Sequence, residues 1–173
     1  PTIAANGSTS WPQGSQSLHK PVYTTRFLDH NKNTITTDVY LHEGGKVTEW
    51  AYEISQGSRK RNIVGIIGPV GAGLIYSDKV LMATDETGFP AASRILENLD
   101  HKTRGKIILE TKNGKPIYPL KIPKLMDIQL LSRDKGENLK NETLKVLKKH
   151  YNHKIWFAGE KQQANSVREY AKK

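Results

Sequence analysis

Lys79-Val80-Leu81-Met82-Ala83-Thr84-Asp85-Glu86-Thr87-Gly88-Phe89-Pro90-Ala91-Ala92 is the stretch on which the fold turns. Its apolar opening reads as a buried strand, a short polar turn follows, and Phe89, Ala92, Leu96 and Leu99 then recur at helical spacing. Such a strand-turn-helix unit sets the first free N–H groups of the helix beside the strand end, where a phosphate or another anion is favoured.

The unit recurs downstream. Residues 106–110 read as a strand, Asn113-Gly114 as a turn, and Pro116, Pro119 and Pro123 as a punctuated loop. A strand at 128–131 leads to a helix over 141–150, with Asn141 as N-cap and Leu144, Leu147 and Tyr151 on one face. Residues 154–158 form the last strand, followed by Gly159-Glu160 and a helix with Ala164, Val167 and Tyr170 in line. Strands alternating with helices argue for a parallel sheet flanked by helices. Ligands of such sheets bind beyond the carboxyl ends of the strands, here Thr84-Asp85-Glu86-Thr87 and Gly159-Glu160.

Upstream the pattern changes. Residues 1–20 read as a loop rich in Ser, Gly, Asn, Gln and Pro. Val22, Thr24, Arg26 and Leu28 alternate with Tyr23, Thr25 and Phe27 as in a strand, residues 29–33 supply a turn, and a second strand puts Thr37, Val39 and Leu41 on one face and Asp38, Tyr40 and His42 on the other. Together these predict a β-hairpin. Gly44-Gly45 breaks it, residues 46–54 form a helix, and 63–67 form an apolar strand closed by Gly68-Pro69-Val70-Gly71-Ala72-Gly73. The change from antiparallel to alternating pattern sets a domain boundary there, giving domains over 1–73 and 74–173.

Composition narrows the chemistry. The chain has 173 residues, 36% of them hydrophobic, which is enough for a core. It has no cysteine, which removes disulfides, thiolate zinc sites and cysteine-ligated iron–sulfur clusters and favours a cytoplasmic setting. No apolar run reaches membrane-spanning length and no signal pattern opens the chain, which starts Pro1-Thr2 either by processing or as a fragment. A formal net charge of +10 suits a basic solvated surface or an anionic partner. Because Lys and Arg are scattered, with small groups at Arg59-Lys60-Arg61 and Lys148-Lys149 and no aromatic interleaving, a small anionic ligand fits better than nucleic acid.

Several local motifs carry two readings. Asp85 and Glu86 could pair as catalytic carboxylates, yet adjacent residues of an extended chain diverge, and a helix cap with a first-turn acid, worth about 0.3–1 kcal/mol, is the simpler account. The glycines of 68–73 lack the spacing of a dinucleotide or phosphate loop and suit a joining turn. His150 and His153 lack companion ligands for a metal, so no metal site is expected. There is no Gly-x-Ser-x-Gly elbow and no cysteine nucleophile, so acyl transfer has no support.

The motifs in their order resemble the siderophore-interacting protein family, flavin-dependent ferric-chelate reductases related to the ferredoxin reductases. The family's Arg-x-Tyr-Thr-x-Arg is matched by Pro21-Val22-Tyr23-Thr24-Thr25-Arg26, and its Leu-His followed by Gly-Pro-Ala-Ser/Thr-x-Trp-Ala by Leu41-His42 and Gly45-Lys46-Val47-Thr48-Glu49-Trp50-Ala51. Its Pro-Gly-Asp-like turn and Gly-Pro-x-Gly strand end appear as Gln56-Gly57-Ser58 and Gly68-Pro69-Val70-Gly71. Gly-Asp-Glu-Thr-Ala-x-Pro-Ala becomes Thr84-Asp85-Glu86-Thr87-Gly88-Phe89-Pro90-Ala91, and Trp-x-Ala-Gly-Glu becomes Trp156-Phe157-Ala158-Gly159-Glu160.

The resemblance implies a partial antiparallel FAD-binding β-barrel followed by a parallel-sheet α/β nicotinamide-binding domain, a ferredoxin-reductase-like β plus α/β fold. It implies that Tyr23 and Thr24 contact the flavin with His42 close by, and that Gly45, Lys46, Val47 and Thr48, with Trp50 in the same helix, hold the FAD pyrophosphate. Asp85, Glu86, Thr87, Gly159 and Glu160 then line the nicotinamide cleft. The expected activity is cytoplasmic reduction of an anionic ferric siderophore, with electrons from NAD(P)H or a ferredoxin passing through FAD, by a monomer without membrane or nucleic-acid partners. Arg26 and the Arg59-Lys60-Arg61 group are candidates for the substrate pocket. Pro21 stands where the family has Arg, Lys46-Val47 where it has Pro-Ala, and Thr84 where it has Gly, which narrows the cleft where a nicotinamide enters. These departures motivate the alternative, a siderophore-binding or interaction module without redox activity. The further barrel strands with which family members begin and their closing Gly-Tyr-Trp-like segment are not in this sequence.

Overall fold

A computed structural model describes residues 2–14, 17, 19–58, 64–68, 75–149 and 152–172. Residues 79–92 fall in strand β5 (Lys79–Thr84), a turn and the start of helix α2 (Phe89–Asn98). In chain order the elements before it are β1 (Thr2–Ile3), β2 (Thr9–Ser10), β3 (Thr25–Asp29), β4 (Thr34–Thr37) and helix α1 (Lys46–Ser55). After it come β6 (Arg104–Thr111), β7 (Leu125–Ser132), a 3-10 turn (Arg133–Lys135), α3 (Leu139–Leu147), β8 (Lys154–Ala158) and α4 (Lys161–Ala171).

Strands β7-β6-β5-β8 form one four-stranded sheet, parallel throughout, with Thr84 level with Leu109 on one side and Ala158 on the other. Every β5 residue after Lys79 is buried because its side chains alternate between two cores. Val80 and Met82 pack with Phe89, Ala92, Ile95 and Leu96 of α2, whereas Leu81 and Ala83 pack with Leu139, Leu147 and Val167 of α3 and α4. Each of the larger side chains contributes about 1.5–3 kcal/mol by burial. Helix α3 starts two residues earlier than the spacing predicts. Its N-cap is Asn138, whose side-chain oxygen accepts the Asn141 N–H at 3.1 Å, so Asn141 lies inside the first turn.

The N-terminal region departs further from expectation. Residues 2–10 carry a small antiparallel pair, β1 with β2, where a loop was expected. The hairpin is present as β3 and β4, closed by an Asx turn in which the Asp29 carboxylate accepts the Asn31 and Lys32 N–H groups and by Asn33 at φ 51°. The second strand covers Thr34–Thr37, so residues 38–42 lie beyond its end and not within it. Residues 64–68 form no strand; Ile63, the closing turn after Gly68 and the expected domain boundary lie outside the described residues. Among the described residues the antiparallel strands make two separate two-stranded ladders, and neither closes a barrel. Among the described residues, both hydrophobic cores draw their members from Ile75 onward. No described helix is long and apolar enough to cross a membrane.

Candidate cofactor site

The carboxyl ends of β5, β6 and β8 converge on the turn after Thr84. The Asp85 N–H donates to the Ala158 carbonyl at 3.3 Å, and the Asp85 carboxylate accepts the Thr87 N–H at 2.9 Å, the Thr87 hydroxyl at 2.6 Å and the Gly88 N–H at 3.3 Å. Its other oxygen lies against Gly159, where a Cβ would sit 3.4 Å away. Asp85, Thr87 and Gly159 are thus brought together. Glu160 is exposed and forms the N-cap of α4 without a side-chain cap bond, leaving the first N–H groups of that helix open beside the turn.

Glu86 points the opposite way. It is 8% exposed, and its carboxylate takes both guanidinium arms of Arg133, at 2.5 and 2.7 Å, and the Lys112 N–H at 2.8 Å. Arg133 also donates to Glu110 at 3.2 Å, while the second Glu110 oxygen accepts the Leu139 N–H at the start of α3. Burial pushes the Glu86 carboxyl up, but the Arg133 and backbone donors outweigh it and hold it below the usual carboxylate range. Two donors to one carboxylate fix Arg133, whose own pKa Glu86 raises. The paired acids therefore diverge, and Glu86 secures strand ends where the cleft reading expected it to face a nicotinamide.

Thr84 also turns inward. It is fully buried, and its hydroxyl donates to the Asp85 carbonyl at 3.1 Å. A Cβ on Gly88 would lie 2.1 Å from that hydroxyl oxygen and 2.7 Å from the Ala158 Cβ. The motif carries Gly and Ala at these two positions and this chain carries Thr84 and Gly88, so the volume gained at one is vacated at the other. The extra bulk fills space beneath the turn and does not narrow a cleft above it.

A second cluster lies at the start of α1. Gly45 is the N-cap without a side-chain cap bond, so the N–H groups of Lys46, Val47 and Thr48 have no partner within the helix. The His42 N–H donates to the Thr48 hydroxyl at 3.2 Å, and the imidazole folds over Gly45 so closely that a Cβ there would be 2.6 Å from its Cε1. An uncapped helix start, a lysine beside it and a backbone kept bare by glycine suit a diphosphate. Tyr23 and Thr24 leave the hairpin at the same end as residues 38–42, because Thr25 pairs with Thr37; Tyr23 is 42% exposed, and Trp50 is half-buried in α1.

Arg26 is not placed to meet a substrate. It is 6% exposed and grips Glu97 of α2 with both arms, at 2.6 and 2.9 Å. Arg59-Lys60-Arg61 and His150 lie outside the described residues.

A family model described as the siderophore-interacting protein matches residues 77–173, and one described as the siderophore-interacting FAD-binding domain matches residues 1–73. The chain belongs to the siderophore-interacting protein family. Within that family, it is 32% identical over 133 residues to the ferric vibriobactin reductase ViuB of Vibrio cholerae serotype O1, covering 73% of this chain and 46% of that protein. It is 30% identical over 101 residues to the NADPH-dependent ferric-chelate reductase of Escherichia coli strain K12, covering 57% and 37%. The chain thus spans less than half the length of these curated relatives. The siderophore-interacting protein SipS from Aeromonas hydrophila shares the fold with a TM-score of 0.72 at 22% identity, over 94% of this chain and 64% of that one. A siderophore utilization protein from T. fusca does so with 0.68 at 25%, over 87% and 58%.

Arg133, Glu110, Glu97, Tyr118 and Asp38 have structural roles that sequence reasoning missed. Apart from Arg94, three residues before Glu97, the partners that give them these roles lie 23 to 80 residues away, so no local periodicity signals them. The one available cue is that Arg133 directly follows a strand end on the ligand-binding edge of the sheet.

Proposed function

We propose that the chain forms the flavin-pyrophosphate and nicotinamide-facing parts of an FAD-dependent ferric-siderophore reductase. The observation that carries this reading is the bare, uncapped start of α1 beneath His42, within the segment matched by the FAD-binding family model. In this reading β3 and β4 belong to a flavin-binding barrel spanning 1–73 and the parallel sheet is the NAD(P)H-binding domain spanning 74–173. The backbone of Gly45 to Thr48 holds the pyrophosphate, the Tyr23 ring and Thr24 hydroxyl contact the flavin, and the Asp85–Thr87 turn with Gly159 and the open start of α4 receives the nicotinamide nucleotide. FAD, when bound, supplies the redox step that the side chains cannot, taking up a hydride and passing on electrons singly. Oxidation of one NAD(P)H then reduces two Fe(III), which hard oxygen chelators hold better than Fe(II), so the metal is released. The chain's excess of cations attracts the anionic ferric complex.

The test is an absorption spectrum of the purified protein. A yellow flavin spectrum, bleached by NADH or NADPH and restored by a ferric siderophore, is the expected result. A folded protein that neither retains nor takes up FAD overturns the reading, and quenching of its tryptophan fluorescence by a ferric siderophore would then establish a binding module without redox activity.

A further inference from the structure

The hairpin and the sheet meet through a compact polar cluster. The ladder register shifts between Thr25 and Phe27, so Arg26 is the extra residue of a β-bulge. Arg26 points inward while Thr25 and Phe27 on either side remain exposed, the ordinary alternation of a strand. The guanidinium meets the Glu97 carboxylate with two parallel bonds, lies 4.2 Å from the Phe27 ring centre and 5.5 Å from that of Tyr118. From the loop after β6, the Tyr118 hydroxyl donates to Asp38 at 2.9 Å and accepts from Ser93 of α2 at 3.3 Å, and its ring stands edge-on to Phe89 at 4.9 Å.

We propose that Arg26–Glu97 and Asp38–Tyr118 form a two-point clamp that sets the position of the flavin-contacting segments relative to the nucleotide turn. This rests on the functional reading above for what the segments bind, not for the clamp itself. Both strands of the hairpin are held at its open end. Thr24 and Tyr23 lie two and three residues before Arg26, and His42 lies four after Asp38. Both anchors reach α2 or the ring packed on it, and α2 begins directly after Asp85-Glu86-Thr87. Arg26 is the only fully buried residue of either strand, and Phe27, Leu28 and Ile35 stay half-exposed, so little apolar burial competes with the clamp in fixing the hairpin. The hydrogen bonds from Arg26 hold the Glu97 carboxyl below its ordinary range, as expected for a charge-assisted pair. These four are positioning residues, since none touches the reacting groups.

Hydrogen exchange and single-turnover kinetics on the FAD-loaded protein test the clamp. In Arg26→Gln and Glu97→Gln, amides of residues 23–28 and 38–42 are expected to exchange about tenfold faster while those of 80–84 and 107–110 hold within about twofold. Flavin bleaching by saturating NAD(P)H is expected to slow about tenfold with FAD affinity changed less than about threefold, because small misplacements of reacting groups cost rate and not binding. Joining Arg26→Glu with Glu97→Arg is expected to restore part of both. Tyr118→Phe, which removes one hydroxyl and keeps the ring on Phe89, serves if the charge variants lose sheet protection; it should speed exchange in 38–42 alone. Unchanged exchange in these segments in all three single variants overturns the clamp. If the protein takes up no FAD, the functional reading falls and the exchange data still decide the clamp.

Discussion

Strands β5 and β3 both carry apolar side chains, yet five of the six residues of β5 are buried and only one of the five of β3 is, an arginine. The difference is in their neighbours. Strand β5 is hydrogen-bonded on both edges and covered by helices on both faces, whereas β3 pairs with β4 among the described residues and packs against α2. Where area is buried on every side, dispersion and the hydrophobic effect set position many times over. Where it is not, a few oriented polar contacts decide it. Substitutions in the two regions should therefore differ in kind as well as size.

The largest expected effect lies where the sheet leaves no slack. Gly88→Ala puts a methyl 2.1 Å from the Thr84 hydroxyl oxygen and 2.7 Å from the Ala158 Cβ, both on strands that cannot yield. A loss of about 3–5 kcal/mol in urea-unfolding stability is expected. Thr84→Gly should also destabilise, through the void it leaves, but the double variant should fall short of the sum by more than about 1 kcal/mol because the second change vacates what the first intrudes on. Strict additivity would break the idea that these two positions exchange volume.

Next is the polar knot at the strand ends. Arg133→Ala leaves Glu86 and Glu110 facing each other's charge nearly buried, and a cost of about 2–3 kcal/mol is expected, below that of a fully buried pair because Arg133 is partly solvated. The same knot has a pH signature. Glu86 titrates below its ordinary 4.5 in the folded chain, so the stability it contributes is present in full above pH 4.5 and is lost as pH falls through the lowered folded value. Glu86→Gln should flatten that acid limb, measured as unfolding midpoint against pH. An unchanged limb would show that Glu86 is not the group responsible.

These two regions also explain what could be read from the sequence. The parallel sheet was legible because continuous apolar runs and helical spacing encode layers directly, and the candidate turn was legible because it ends a strand in such a sheet. Helix α1 was legible from its helical spacing, and the hairpin from period-2 alternation around the turn residues 29–33. The partner of Arg26 was not, since alternation gives its face but not Glu97, 71 residues away, and neither was the inward turn of Thr84, which depends on a glycine four residues later meeting a strand from residue 154 onward. Glu86 was read as lining the cleft because its partner, 47 residues away, is invisible to periodicity.

A smaller effect should separate binding from folding at the start of α1. Gly45→Ala intrudes only on the His42 ring and the Thr48 hydroxyl, which can move, and Gly45 has an ordinary extended conformation at φ −91°. Stability should change by less than about 1 kcal/mol. FAD affinity, by fluorescence titration, should fall about tenfold because the methyl and the displaced imidazole cover the N–H groups offered to the pyrophosphate. A loss of stability with unchanged affinity would reverse the roles assigned to this glycine.

The smallest effect tests the comparison most sharply. Leu28 is 52% exposed and opposite Ile35, itself exposed, so it gives up little buried area when truncated. Leu28→Thr introduces a β-branched side chain suited to a solvated strand and should shift stability by less than about 0.5 kcal/mol. Leu81→Ala, in the doubly covered strand, should cost about 2–5 kcal/mol. If Leu28→Thr instead costs more than about 2 kcal/mol, the face it stands on is covered in the folded protein, because no exposed cross-strand pair contributes that much. The hairpin would then be held by area like β5, and Arg26 would lose its leverage: replacing it would leave the position of the flavin-contacting segments unchanged.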